Sequence, residues 1–210
     1  RLSQLIKYYE DWYTPENMAL ILVGKVETRK IMGRIAAAFG KLQAKATPQR
    51  KEYQDVIIKG RNQYTTKFSQ YPSVVMVYNG VKAGHPDEVA LDICLRLLSN
   101  SSSTGTLDKL VVDGDLQGGN ASLLAFREQG RSLIQAIPYY GEAQRRFESN
   151  RSVEKKLLKA IEQVAAGEFE PWVVEAIKVN LCRDFDLQME SNDYKAQLLM
   201  EAFINEKDLS

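Results

Sequence analysis

The chain carries a single histidine, His85, in 210 residues. A zinc site built from two or three imidazoles is therefore beyond what this chain supplies alone. Cysteine is almost as scarce. Cys94 and Cys182 make no disulfide scaffold and fix no compartment, and with His85 they share none of the short spacings of a structural zinc site. Long apolar runs are missing too: the longest, Met18 to Val23, is strand-sized, far from the ~20 residues of a membrane helix. That excludes an integral membrane protein of the helical kind. There is no excess charge of one sign. Lys and Arg number 28 against 27 Asp and Glu, so the electrostatic footprint of a nucleic-acid binder is absent. With 13 Gly and 6 Pro the composition is neither collagenous nor low-complexity. What is present, 44% hydrophobic residues, is enough for one substantial core or two small ones. The chain begins at Arg1 without a signal peptide, so the expectation is a piece of a longer polypeptide whose targeting signal lies elsewhere.

Periodicity then gives an element order. Leu2, Leu5, Ile6 and Tyr9 predict a helix over 2–12, broken by Thr14-Pro15-Glu16-Asn17. Met18 to Val23 runs without alternation, as a strand covered on both faces would. Ile31, Ile35, Ala38, Phe39 and Leu42 predict a helix over 28–42, and 43–52 is polar and reads as an exposed connection. Strand-like pieces follow at Tyr53–Lys59, Tyr64–Ser69 and Ser73–Tyr78. Pro86, Asp87 and Glu88 open a helix to about Leu98, and Asn100 to Gly105 is a Ser-rich loop. Residues 107–118 are ambiguous. Ala121–Phe126 and Ser132–Pro138 read as paired strands, followed by helices over Ser152–Ala166, from Pro171, and over about Asn192–Asn205. Adjacent strand pairs point to an α+β fold, a mixed and largely antiparallel sheet with helices on one face, in a single domain over 1–210.

Three stretches are more specific. The run Tyr8-Tyr9-Glu10-Asp11-Trp12-Tyr13-Thr14-Pro15-Glu16-Asn17-Met18, then an apolar strand and Val23-Gly24-Lys25, resembles the opening of non-catalytic domains in the insulinase/pitrilysin family of zinc metallopeptidases. Lys25 stands where Asp is usual. Gly84-His85-Pro86-Asp87 before a Leu-rich helix, and Gly167-Glu168-Phe169 before a helix carrying Lys178 and then Glu190-Ser191, match the same family. The resemblance implies a two-layer mitochondrial-processing-peptidase-like metallohydrolase fold, β-α-β-β-α-β-β with extra helices. It implies a catalytic domain in the same polypeptide, holding zinc in an inverted H-x-x-E-H motif whose Glu is the base for a zinc-activated water. That motif needs two histidines on one helix face, so the metal and catalytic residues are expected elsewhere and this chain supplies none. The implied partners are that catalytic domain and a peptide substrate, with a bacterial periplasm or cell envelope as the setting.

Some domains of the family lend the active site an Arg and a Tyr. The corresponding stretch here is Leu110 to Gly118, where Val111 takes the Arg position and Gly118 the Tyr position. Neither can stabilise an oxyanion. The resemblance thus implies the inactive copy that follows the catalytic domain.

The remaining features have plain readings. His85 is expected in an exposed loop, Cys94 and Cys182 as buried free thiols, and Ser99 to Thr104 as a connection. Gly114 to Gly119 lacks the Lys-Ser/Thr ending of a phosphate cradle. Asn100, Asn120 and Asn150 head formal glycosylation sequons, and Lys51, Lys59, Arg61 and Lys67 make a mildly basic segment. Trp12, Tyr9 and Tyr13 read as packing residues before the first strand. Three functions survive: a structural, substrate-enclosing domain of a zinc metalloendopeptidase, inactive alone; a non-proteolytic core or scaffold subunit of the same fold; and a peptide-binding α+β domain.

Overall fold

Helix α1 (Leu2–Trp12) forms where the apolar residues recur at helical spacing, and a single 3-10 turn, Pro15–Asn17, follows it. A computed structural model describes residues 1–51, 56–67, 71–143 and 145–206. The turn is held from outside. Asn17 Nδ2 donates to Trp12 O at 2.9 Å, Arg50 Nη2 donates to Asn17 Oδ1 at 2.9 Å, and the Arg50 guanidinium lies 5.8 Å from the Trp12 ring centroid. Lys45 adds its backbone N–H on Glu16 Oε2 (3.0 Å) and its ammonium on Glu10 O. The polar connection after α2 (Thr28–Phe39) is therefore exposed but tied back to the aromatic motif.

Packing divides the chain into two compact units, Arg1–Tyr53 with Asp186–Ser210, and Gln54–Phe185. The second unit is built on a three-stranded antiparallel sheet. Its strands are β1 (Val74–Asn79), β2 (Leu116–Ala125) and β3 (Gly130–Pro138), in the order β1-β3-β2. Val74 pairs with Ala136 and Met76 with Ile134 on one side; Ala121 pairs with Ile134 and Gly119 with Ala136 on the other. Strand alternation therefore puts Met76, Ile134, Ala136 and Ala121 on one face. Three helices cover that face: α3 (Glu88–Leu98), α4 (Thr106–Val112) and α5 (Asn150–Ala165). The core between them is Leu95, Leu98, Leu107, Leu116, Val153 and Leu157 with the sheet residues. Leu107 and Leu157 are fully enclosed, each contributing about 1.5–3 kcal/mol by burial. A two-residue hairpin, β4 (Tyr140–Gly141) with β5 (Arg146–Phe147), leads into α5. Helix α6 (Pro171–Gln188) sets Val173 and Ile177 against Leu97. Helix α7 (Asn192–Asn205) is capped by Ser191, whose Oγ accepts from Tyr194 N at 3.4 Å.

This is the two-layer arrangement of helices on an antiparallel sheet that the element order implies. Four details differ. Met18–Val23 joins no helix or sheet among the described residues, and its side chains are not covered on two faces: Leu20 is 54% exposed. Residues 56–59 and 64–67 form no strand, and 53–55 and 68–69 lie outside the described residues. At Ile58 a side-chain amide replaces the ladder: Ile58 N donates to Asn79 Oδ1 (2.9 Å) and Asn79 Nδ2 donates to Ile58 O (3.1 Å). The third helix begins at Glu88 rather than Pro86, because Gly84 (φ +76°) to Asp87 form a turn first. The ambiguous stretch resolves into α4 and the start of β2. Gly105, before α4, sits where a Cβ would lie 2.2 Å from Leu98 O, so only glycine fits. Among the described residues no helix is long and apolar enough to cross a membrane.

Candidate functional site

The stretch from Leu110 to Gly118 runs off the end of α4, turns at Gly114 (φ +77°) and enters β2. Its two positions of interest point apart. Val111 packs on the core side, with its Cγ2 3.8 Å from where a Cβ on Gly119 would stand. A Cβ on Gly118 would meet Ile137 Cδ1 at 3.3 Å, on the opposite face of the sheet. Residues 111 and 118 therefore flank β2 from its two sides, and side chains there do not converge on one reacting atom. Gly114 to Gly119 is a turn and a strand, with no cradle of amides.

The preceding loop is organised by a carboxylate the sequence reading passed over. Asp108 is 8% exposed. Its Oδ1 accepts from Ser99 Oγ (2.8 Å), and its Oδ2 accepts from Asn100 N (2.9 Å) and Gly105 N (2.9 Å). Asn100 extends the network, donating from Nδ2 to Arg96 O (2.9 Å) and Thr104 Oγ1 (3.0 Å) and accepting at Oδ1 from Ser102 N (3.0 Å). The signal was legible in principle: a small residue before the helix and an acid three positions into it is the pattern of a helix N-terminus. These hydroxyls and amides hold a loop, and the Asn100 amide nitrogen of the first sequon is engaged. Asn120 and Asn150 are exposed.

His85 lies in the turn before α3. Its Nδ1 accepts from Asp87 N at 3.1 Å, and the Asp87 carboxylate is 3.7 Å away. Gly84 N donates to Glu88 Oε2 at 2.6 Å. The Gly84-His85-Pro86-Asp87 motif thus shapes a helix entrance. Cys94 and Cys182 are both exposed, which corrects the expectation of burial. On α3 the inward sectors belong to Leu95 and Leu98 on one side and Leu97 on the other, and Cys94 falls between them and solvent. On α6 the inward residues are Val173 and Ile177, and Cys182 is turned away. In the basic segment Arg61 pairs with Glu154 at 2.6 Å while Lys51, Lys59 and Lys67 are exposed. Burial first, and the Glu154 carboxylate second, push the Tyr78 phenol above its usual range.

Two cavities lie in the unit that holds the sheet. One, of about 230 Å³, sits between the Ser-rich loop and α6, lined by Arg96, Asn100, Ser102, Trp172 and Asn180. The other, of about 400 Å³, is lined by Asp115, Tyr139, Arg146, Glu148 and Lys156. There Lys156 Nζ is shared between Glu148 Oε2 (2.9 Å) and Asp115 Oδ1 (3.4 Å), and with Arg146 in the lining two cations stand against two carboxylates. Neither wall sets a nucleophile against a base. Among the described residues no group of three or more His, Cys, Asp or Glu side chains could hold a metal ion. A zinc ion does not fit the residues present: the one imidazole is engaged at Nδ1 by a backbone amide, and the thiols are on separate helices.

The model for the peptidase M16 inactive domain matches residues 1–181. A protease from Helicobacter pylori superposes with a TM-score of 0.76 at 21% identity, over 98% of this chain and 50% of that one. An M16-like peptidase from Alicyclobacillus acidocaldarius gives 0.68 at 14% identity, over 99% and 49%. An insulinase family protease from Yersinia pestis gives 0.63 at 14%, over 97% and 45%. These likenesses show the fold. Protein YhjJ of Salmonella typhimurium is 45% identical over 43 residues, 20% of this chain and 9% of that protein. The chain thus spans about half the length of the solved structures and matches less than a tenth of YhjJ.

Proposed function

Because the chain belongs to the peptidase M16 inactive-domain family, we propose that it encloses peptide substrate within a zinc metalloendopeptidase whose metal is held by a neighbouring catalytic domain. The domain itself is the non-catalytic kind. The observation that carries the rest is the family match over residues 1–181 in a chain with one histidine. In the catalytic partner, zinc would polarise the scissile carbonyl and lower the pKa of an attacking water. This chain's own contribution is a surface. The sheet face away from the helices carries Val75, Val77 and Leu124, 47%, 45% and 40% exposed, with Leu133 between them. Such a face is a wall for an unfolded peptide, which would have its own apolar side chains exposed. Zinc dependence, peptide hydrolysis and a periplasmic setting are proposed for the parent on the family resemblance.

The test compares the parent polypeptide with the 210-residue chain. After dialysis the parent should hold one zinc and cleave unstructured peptides, and the chain alone should do neither. Stoichiometric zinc on the isolated chain would overturn the assignment. A folded parent with neither zinc nor cleavage would move the protein to the scaffold reading.

A further inference from the structure

Residues 145–159 hold six cationic side chains against two acids, Glu148 and Glu154, in a chain whose net charge is only +1. Both acids are engaged, Glu148 with Lys156 at 2.9 Å and Glu154 with Arg61 at 2.6 Å, and Asp115 lies on the other side of Lys156. Arg145, Arg146, Arg151, Lys155 and Lys159 are then left with no side-chain partner among the described residues, and all five are exposed. The acids left over nearby are Glu142, before the hairpin turn, and Glu162, three positions past Lys159. Three of the five cations form a line. Arg151, Lys155 and Lys159 recur every four residues along α5, about 6 Å apart by helix rise, on the side away from the buried Val153, Leu157 and Ala160. This line works against the helix that carries it. Like charges four residues apart repel. Arg151 also stands in the first turn, where the helix dipole favours acids and α5 has none. Neither the core nor an ion pair of this chain accounts for the line, so its counter-charge comes from outside.

We propose that the outer face of α5 docks an extended acidic segment of a partner protein, with carboxylates at alternate positions of that segment. Side chains on one side of an extended chain repeat every second residue, about 6.6 Å apart. That is close to the repeat of Arg151, Lys155 and Lys159, about 6 Å, so three alternate carboxylates meet the three cations in register. The Arg151 guanidinium can take its carboxylate through two N–H groups. Arg145 and Arg146, on the hairpin that leads into α5, add positive charge ahead of the line. An anionic membrane is a poorer occupant. Peripheral helices that lie on lipid bury a broad apolar face, and Leu158, 39% exposed, is the one large apolar side chain of α5 that is exposed beside these cations. The docking face belongs to the helix layer and not to the sheet face that would wall the peptide substrate, so it stands or falls apart from the proposed function.

Fluorescence anisotropy of a labelled peptide of alternating Ser and Glu, titrated with the 210-residue chain at low ionic strength, tests this. A peptide of the same composition with its Glu residues in one block is the comparison. The alternating peptide should bind about threefold or more tightly than the block. Reversing the line, Arg151→Glu with Lys155→Glu and Lys159→Glu, should weaken binding about tenfold or more. The same charge change elsewhere, Lys25→Glu with Arg29→Glu and Arg34→Glu, should leave it within about twofold. The melting temperature of the α5 variant should hold or rise, because acids suit the first turn of a helix. Lys155→Ala with Lys159→Ala, which keeps helix propensity, carries the test if the triple variant does not fold, with an expected loss of about threefold or more. Equal weakening by the two triple variants, or equal affinity for the two peptides, would mean charge without docking and overturn the proposal. So would no binding of the alternating peptide. Phosphatidylglycerol vesicles that hold the chain more tightly than the peptide does would assign the face to a membrane and overturn it as well.

Discussion

Replacing Asp108 by alanine removes one carboxylate, leaves the Asn100 and Gly105 N–H groups without their acceptor and leaves Ser99 Oγ only Gly119 O, 3.5 Å away. Ser99 Oγ, Asn100 N and Gly105 N approach the carboxylate at 2.8, 2.9 and 2.9 Å. The side chain is 8% exposed, so water does not freely replace it. An orphaned buried donor costs about 1–3 kcal/mol, and loss of a helix-start contact costs about 0.5–2 kcal/mol. These overlap because all act through one loop, so the expected loss is about 3–4 kcal/mol rather than the sum. Asp108→Asn should be milder, about 1–2 kcal/mol. Its amide oxygen can accept from the two backbone N–H groups, and its NH₂ can donate to Ser99 Oγ, whose hydroxyl then turns to Gly119 O, 3.5 Å away. Lys109→Ala, on the exposed side of the same helix, should stay within about 0.5 kcal/mol. The assay is urea unfolding followed by Trp172 fluorescence in a Trp12→Phe background, which reports the unit containing Asp108. A loss below about 1 kcal/mol for the alanine variant, or equal losses for alanine and asparagine, would refute the reasoning.

Native thiol titration should label about two cysteines per chain quickly and without denaturant, since Cys94 and Cys182 are exposed; labelling only on unfolding would contradict this. Tyr78 is held above its ordinary value of 10.0 by burial and then by Glu154. The folded state keeps that proton while the unfolded state releases it, so the contribution is intact below pH about 10 and is lost as pH rises beyond it. Tyr78→Phe should flatten the alkaline fall in melting temperature. Trp12→Ala should cost about 1–2 kcal/mol, less than for a buried aromatic, because Trp12 is half-buried, with the Arg50 guanidinium and the Tyr8 ring beside it; thermal melts decide it. Val111→Arg with Gly118→Tyr should leave the kcat of the parent unraised. The two positions face opposite sides of the sheet, and a large increase would refute that placement.

Local signals were read correctly and non-local ones were not. The last helix spans Asn192–Asn205 as its periodicity and Ser191 cap indicate, and α5 and α6 begin within two residues of their sequence signals. Such features are settled within one or two turns of chain. Met18–Val23 shows the other case. Its residues predict a covered strand, yet the run joins no sheet among the described residues and Leu20 and Leu22 stay exposed. Asp108 escaped for a related reason: its donors come from Ser99, Asn100 and Gly105, and only the folded loop brings them to one carboxylate.

The same distinction explains how a chain whose described residues assemble no group of metal ligands still declares its family. The motifs that carry the resemblance shape backbone. Pro15 and Asn17 make a turn fixed by Arg50 and the Trp12 carbonyl. Gly84 and Glu88 set the entrance to α3. At 111 and 118, the positions that the resemblance aligns with an Arg and a Tyr, this chain has a valine packed on the core and a glycine against Ile137. A fold asks for its turns and caps whatever its domain does, whereas oxyanion donors have a purpose only within about 3 Å of a reacting atom. A domain relieved of that geometry is free to fill those positions for packing while its architecture stays recognisable. Arg at 111 and Tyr at 118 would face opposite sides of the sheet and could not converge on one reacting atom.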